Sequence, residues 1–135
     1  MKKILLAMIL LFGISSFMCA QYVTIINAEV ITQNGTFQRK NVVVFIKLTS
    51  EGIKEFYNNN SKIKFKVTAD WGISQLLTQS ERKGTFYPTY FSGGSSNGKA
   101  NAQTIVFECI DYETALKLKE RGVSGSDFYI ESYVE

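Results

Sequence analysis

The sequence predicts an α+β domain built on a mainly antiparallel β-sheet, with one or two short helices on one face. Three observations indicate this class. Segments of alternating apolar and polar residues recur along the chain, and two stretches have helical spacing instead. Each helical stretch lies between two strands, in residues 37–69 and again in residues 103–134. The alternative is a β-sandwich in which both helical segments are only crossover turns.

The first two strands are predicted to form a hairpin. Residues 22–31 have one apolar face, which consists of Tyr22, Ile26, Ala28 and Val30. The Asn-Gly pair at 34–35 predicts a two-residue turn, because these residues tolerate the positive φ of a type I′ turn. The returning strand, 37–48, is apolar on both faces at residues 42–46. This pattern predicts a central strand that is covered on both sides.

A short helix and a strand follow the hairpin. Ser50 is the predicted N-cap of a helix with Ile53, Phe56 and Tyr57 at helical spacing, and the asparagines at 58–60 end it. Residues 62–68 then alternate, with Ile63, Phe65 and Val67 facing inward and Lys62, Lys64 and Lys66 facing outward. A lysine row of this kind attracts an anionic partner or, more commonly, forms a solvated face that guards a sheet edge.

The second half of the chain is predicted to contain a weak helical stretch at its start, a helix near its end and three strands. Residues 70–80 fit a short helix, which Gly72 weakens, and strand character returns at 84–91 before a Gly/Ser/Asn loop. A strand at 103–110 places Cys109 on the same face as Ile105 and Phe107, where a free cysteine is most often a small buried hydrophobe. Asp111 is the predicted cap of a helix over 112–121, and the last strand is predicted over 128–134.

The N-terminal residues have the layout of a secretory signal peptide. Two lysines precede the apolar run 4–14, and small serines follow it. The run is too short to span a bilayer, which needs about 20 residues. We expect cleavage after Ala20, so that residues 21–135 form a single exported domain, periplasmic or extracellular, without an internal disulfide. The alternative is lipid attachment at Cys19, although Met18 departs from the small residue that such processing requires.

Composition excludes several kinds of function. The chain has no histidine, which rules out Ser-His-Asp and Cys-His nucleophile systems, histidine metal sites and histidine pH switches. The leader carries two of the 15 basic residues and none of the 12 acidic ones, so the remaining chain has a net charge of only +1. A nucleic-acid-binding domain is expected to keep a strong basic excess. We therefore expect no nucleic acid partner.

The motifs that resemble catalytic or cofactor sites are incomplete. Residues 93–100 have the Gly and Lys spacing of a phosphate-binding loop, but Ala100 replaces the required Ser or Thr and a strand follows. Residues 122–126 lack the last glycine of a nucleophile elbow. The carboxylates of Asp70, Asp111 and Glu113 have no calcium-loop spacing. We expect no cofactor, no metal and no enzymatic activity, with a small carboxylate-dependent hydrolase as an alternative.

Aromatic residues around the second loop are the best candidates for binding. Simple alternation places Phe86 with Tyr90 on one face and Tyr87 with Phe91 on the other, so one pair should be partly exposed. The candidate binding residues are Tyr87, Tyr90, Phe91, Lys99 and Trp71. The expected function is a non-catalytic recognition module of the inhibitor or immunity type, and its expected partner is another protein. The alternative is a structural or adhesive component of the cell envelope that assembles through a sheet edge.

Overall fold

Two three-stranded antiparallel sheets make up most of the fold. The computed structural model describes residues 21–78, 85–92 and 101–135, with the backbone alone for 85–89. The first sheet has the strand order β1-β2-β5 and the second the order β4-β3-β6. The strands are β1 (Val23–Gln33), β2 (Arg39–Leu48), β3 (Ile63–Ala69), β4 (Thr85–Tyr90), β5 (Ala102–Glu108) and β6 (Phe128–Val134).

Short helices connect the two sheets. The helices are α1 (Ser50–Ile53), which continues as a π-helical turn (Lys54–Asn58), α2 (Trp71–Ser74) and α3 (Tyr112–Arg121), and a 3₁₀ turn (Gly125–Asp127) precedes β6. The chain passes from the first sheet to the second through α1 and again through α3. The predicted α+β class is confirmed, and its strands divide between two sheets instead of forming one. Within the described residues, no helix has the length and apolarity needed to cross a membrane.

One apolar core joins the two sheets. Its buried side chains come from all three strands of the first sheet and from β3 and β6 of the second, together with Ala115 and Leu118 of α3. The largest members are Phe65, Phe107, Ile46, Leu48 and Ile63. Strand β2 lies between β1 and β5, and Val42, Val43 and Val44 are all buried. The predicted central position of this strand is therefore confirmed.

The longest helix follows its sequence signals closely. The Asp111 carboxylate accepts a hydrogen bond from the Thr114 amide at 2.7 Å, which lowers the pKa of Asp111 because the bond favours the charged form. The helix ends at Gly122, whose φ of 85° suits a residue without a side chain. The bounds 112–121 are those that the sequence predicts.

Strand β1 differs from its predicted pattern. The β1–β2 register shifts between Ile25 and Asn27, so Ile26 occupies a bulge and is 53% exposed. The bulge reverses the alternation before it, and Val23 and Ile25 therefore join Ala28 on the core side. The prediction that Ile26 shares the apolar face is wrong for this reason.

The turn between β1 and β2 is longer than predicted. Gln33 pairs with Arg39, so the loop contains the five residues 34–38, and Gly35 has no positive φ. A type I′ turn needs positive φ at both central residues, and the prediction of that turn is wrong.

The N-cap of α1 also differs by one residue from the predicted one. Thr49, and not Ser50, accepts the Gly52 amide at 3.0 Å.

The Cys109 thiol is buried, as predicted. Burial in an apolar environment raises its pKa to about 11, because the thiolate is poorly solvated there. In the chain from Gln21 onward it is the only thiol.

We expect a disulfide reagent to modify native Cys109 about a hundredfold more slowly than it modifies the same thiol in the unfolded chain at mildly alkaline pH. A spectrophotometric thiol assay with and without denaturant measures both rates. Equal rates would show that the thiol is accessible.

Candidate binding face on the second sheet

The outer side of the second sheet carries exposed tyrosines between paired charges. Alternation along β3 and β6 places one set of side chains in the core and the other in solvent. We call the solvent side the tyrosine face. It consists of Lys62, Lys64 and Lys66 on and beside β3, Tyr90 at the end of β4, and Tyr129, Glu131, Tyr133 and Glu135 on and after β6.

Strand β6 supplies two of the three tyrosines. Phe128 is buried and stacks on Phe107 with ring centroids 5.5 Å apart, which fixes the inward side of the strand. The residues of opposite parity therefore face outward, and Tyr129 and Tyr133 are 58% and 46% exposed. These two rings are exposed because no element among the described residues covers this side of the sheet.

Lys64 lies between two tyrosines in the middle of this face. Its Cα pairs with that of Tyr90 on one side and with that of Tyr133 on the other. Neighbouring strands are about 4.8 Å apart, so the two tyrosine Cα atoms are separated by about 10 Å. The three residues form a row across the full width of the sheet.

The Tyr90 ring is held by several neighbours. Its hydroxyl donates a hydrogen bond to the Glu135 carboxylate. The ammonium groups of Lys62 and Lys64 lie 5.8 and 5.5 Å from the ring centroid, within the range of cation–π attraction. The ring is 43% exposed in spite of these contacts. It therefore presents an ordered surface to solvent.

Two of the three lysines of the face have carboxylate partners. Lys64 lies 3.9 Å from Glu135, and Lys66 lies 3.8 Å from Glu131. Exposed pairs of this kind contribute between about 0 and 1 kcal/mol to stability. Their main effect is to compensate charge across the face. Lys64 and Lys66 thus belong to an internally paired, solvated surface and not to an isolated cationic strip.

The other end of the face adjoins the exposed tryptophan. The Tyr129 hydroxyl donates to the Asp70 carboxylate at 3.0 Å, and this bond raises the pKa of Tyr129. Asp70 is also the N-cap of α2, through the Gly72 amide at 3.4 Å. Trp71 follows directly and is 77% exposed. An indole with this exposure contributes little to the core and is available for contact.

The structure separates the predicted binding residues. Tyr90 and Trp71 are exposed, and both lie on or next to the tyrosine face. Phe91 is only 3% exposed and contacts Phe56 edge to face at 5.4 Å. The Phe91 amide continues the pairing of β4 with β3, because it donates to the Ile63 carbonyl at 2.8 Å. Since Tyr90 faces outward, the next residue along the strand, Phe91, faces the core. The expectation that Phe91 forms part of a binding surface is corrected, because it is a core residue.

Two other predicted residues are not placed. Lys99 and the phosphate-loop-like segment 93–100 lie outside the described residues, as do the predicted leader and the side chains of Phe86 and Tyr87. The backbone of β4 is described, and its register with β3 shifts between Thr89 and Phe86. This shift interrupts the simple alternation that paired Phe86 with Tyr90. Pro88 lies within the shifted segment of β4. Because β4 is an edge strand, it tolerates a proline, which has no backbone N–H to donate.

Sequence reasoning did not single out Tyr129 and Tyr133. The signal was present in the alternation of the last strand, where phenylalanine, isoleucine, serine and valine occupy one parity and tyrosine, glutamate and tyrosine the other. The bulky tyrosines resemble core residues in composition, and only the parity reveals their exposure.

Two of the three carboxylates considered for catalysis have structural partners. Asp111 caps α3, and Asp70 caps α2 and accepts the Tyr129 hydroxyl. Among the described residues, no group of three or more metal-ligating side chains occurs. The bonds of Asp70 and Asp111 explain both residues without an acid–base role.

The hydrogen bond between Tyr90 and Glu135 has a testable consequence. It is the largest cause of the raised pKa of Tyr90, since the carboxylate holds the phenolic proton. We expect Glu135→Gln to lower the pKa of Tyr90 and to leave that of Tyr129 unchanged. An NMR titration with ring-labelled tyrosine measures both groups, and Tyr90→Phe assigns the signal. An unchanged Tyr90 titration in Glu135→Gln would show that the bond does not form in solution.

Comparison with protein-family models, with curated proteins and with solved structures finds no match to this chain.

Proposed function

We propose that the protein is an exported, non-catalytic recognition module that binds another protein through the tyrosine face. The observation that carries this proposal is the exposure of three tyrosines, Tyr90, Tyr129 and Tyr133, on one side of one sheet. Trp71, the only tryptophan of the chain, lies at the end of the same surface. Tyrosine and tryptophan are the residue types most enriched at the centres of protein interfaces.

The order of the face supports tight binding. Two of the tyrosine hydroxyls are anchored on carboxylates, and one ring lies under two ammonium groups. Rings that are already fixed lose little conformational entropy when a partner covers them. A sheet also positions side chains more rigidly than a loop does.

The charge of the face favours a protein partner. The ion pairs Lys64–Glu135 and Lys66–Glu131 leave no large field of one sign. Nucleic acid binding depends on an uncompensated basic surface, which this face lacks. Mixed charges around exposed aromatic rings are typical of the rim and core of protein interfaces.

The test compares substitutions at residues of nearly equal exposure on two different surfaces. Tyr133 is 46% exposed on the tyrosine face, and Val106 is 45% exposed on the outer side of the first sheet. The protein is immobilised, and proteins retained from the exporting cells are identified by mass spectrometry. We expect the Tyr129→Ser/Tyr133→Ser variant to lose about 30-fold or more in affinity for the retained partner, since buried interface tyrosines are hot spots.

The control is Val106→Ser, which should retain the partner as the wild type does. Circular dichroism establishes that each variant is folded. Undiminished binding by the double tyrosine variant would contradict the proposal. Equal loss in Val106→Ser would assign binding to the other sheet.

A further inference from the structure

The loop between β1 and β2 projects from the body of the protein with an aromatic residue at its tip. Phe37 is 79% exposed, which exceeds even Trp71. The register of β2 with β5 ends where Asn41 meets Glu108, and one further bond joins the Cys109 amide to the Lys40 carbonyl at 2.8 Å. Beyond Lys40 the two hairpin strands have only each other as strand neighbours among the described residues. All of residues 33–39 are exposed.

Cations surround this tip. No acidic residue occurs between Glu29 and Glu51, and Arg39 and Lys40 follow Phe37 after the single residue Gln38. The Lys119 ammonium group of α3 adds a third cation, because it lies 3.3 Å from the hydroxyl of Thr32 on β1.

Only part of this charge is compensated. Lys40 lies 3.5 Å from Glu108, while the ion pairs among the described residues include neither Arg39 nor Lys119. On the tyrosine face, by contrast, Lys64 and Lys66 each have a carboxylate partner. The hairpin tip therefore combines an exposed aromatic side chain with unpaired cations.

We propose that this hairpin tip docks on an anionic phospholipid surface. Phe37 enters the boundary between headgroups and acyl chains, where an aromatic ring leaves water without leaving the interface. Arg39 and Lys119 face the lipid phosphates, and each basic residue near an anionic surface adds attraction that salt screens. A single aromatic residue with two or three cations gives reversible binding and not permanent anchoring.

This surface is separate from the tyrosine face, and the inference does not depend on the proposed protein partner. Changes at Phe37 leave the side chains of the tyrosine face in place. Loss of lipid binding and loss of partner binding are therefore distinguishable in the same set of variants.

The experiment measures co-sedimentation with vesicles at low salt. The wild type, Phe37→Ser and Arg39→Gln are mixed with vesicles of phosphatidylglycerol and phosphatidylcholine, or of phosphatidylcholine alone. Trp71→Ser is the matched control, because its aromatic side chain has nearly the same exposure, 77% against 79%. We expect binding to the anionic vesicles only, with a loss of about tenfold or more in Phe37→Ser. Arg39→Gln should weaken binding to a smaller extent, and Trp71→Ser should bind as the wild type does.

Three results would overturn the proposal. The first is no binding of the wild type to anionic vesicles, in which case the exposed ring has another role, such as entering a pocket of a protein. The second is unchanged binding by Phe37→Ser. The third is an equal loss in Phe37→Ser and Trp71→Ser, which would place the contact elsewhere on the molecule.

Discussion

Phe65→Ala is expected to destabilise the protein by about 3 to 5 kcal/mol, the usual range for a phenylalanine removed from a closed core. Phe65 is completely buried in the central strand of the second sheet and belongs to the core that joins both sheets. Its loss leaves a cavity that the flanking strands cannot close, because their register is fixed by pairing on both sides. Urea unfolding followed by circular dichroism measures the change.

The neighbouring outward residue provides the control. Lys64→Ala removes a solvent-facing side chain and one exposed ion pair, so it should cost at most about 1 kcal/mol. A similar cost for both substitutions would mean that the two faces of β3 are not distinguished in solution. The assignment of the tyrosine face as the outer side would then be wrong.

Gly52→Ala is expected to destabilise the protein by about 2 to 3 kcal/mol. A Cβ atom at this position would lie 2.0 Å from the Tyr22 carbonyl oxygen and 3.1 Å from Leu48 Cδ2. The nearest atom belongs to the backbone, and Thr49 donates its amide to the same carbonyl at 3.0 Å. Alanine favours a helix over glycine by about 1 kcal/mol, but the strain of moving this segment exceeds that gain.

Gly35→Ala is the matched control for this prediction. Gly35 lies in the exposed hairpin loop, has no atom within 4 Å of an added Cβ and does not adopt a positive φ. Its replacement should change the free energy of unfolding by no more than about 0.5 kcal/mol. If Gly52→Ala were as mild as Gly35→Ala, the Tyr22 backbone would not pack on α1 as the structure shows.

Regular elements with strong local signals were predictable from the sequence. Helix α3 has a capping aspartate before it and a glycine after it, and both signals act within one turn. Strand β3 has a strict alternation over seven residues, which leaves one way to bury its apolar side. The predicted strand–helix–strand order in residues 37–69 and 103–134 also appears, because α1 and α3 each connect a strand of the first sheet to a strand of the second.

Features that depend on pairing between strands were not predictable. The bulge at Ile26 and the five-residue loop before Arg39 are set by the register of β1 on β2, which involves both strands at once. The short sequence Asn-Gly favours a tight turn locally, but that pairing leaves five residues in the loop. The division of the strands into two sheets is likewise a property of the whole chain.

The candidate site was predictable only in part. Tyr90 and Trp71 were selected, whereas Phe91 has the same composition signal and is buried. Adjacent residues of one strand point to opposite sides, so exposure depends on which side the core occupies. That choice is made by the packing of β3 against the first sheet, and aromatic content alone cannot reveal it.

Photo-crosslinking in the exporting cells gives the most direct test of contact between the tyrosine face and a protein partner. A photoreactive phenylalanine analogue replaces Tyr133 in one variant and Val106 in another, positions of nearly equal exposure on opposite sheets. We expect a discrete protein adduct from position 133 and none from position 106. An adduct from position 106 with none from position 133 would contradict the proposal.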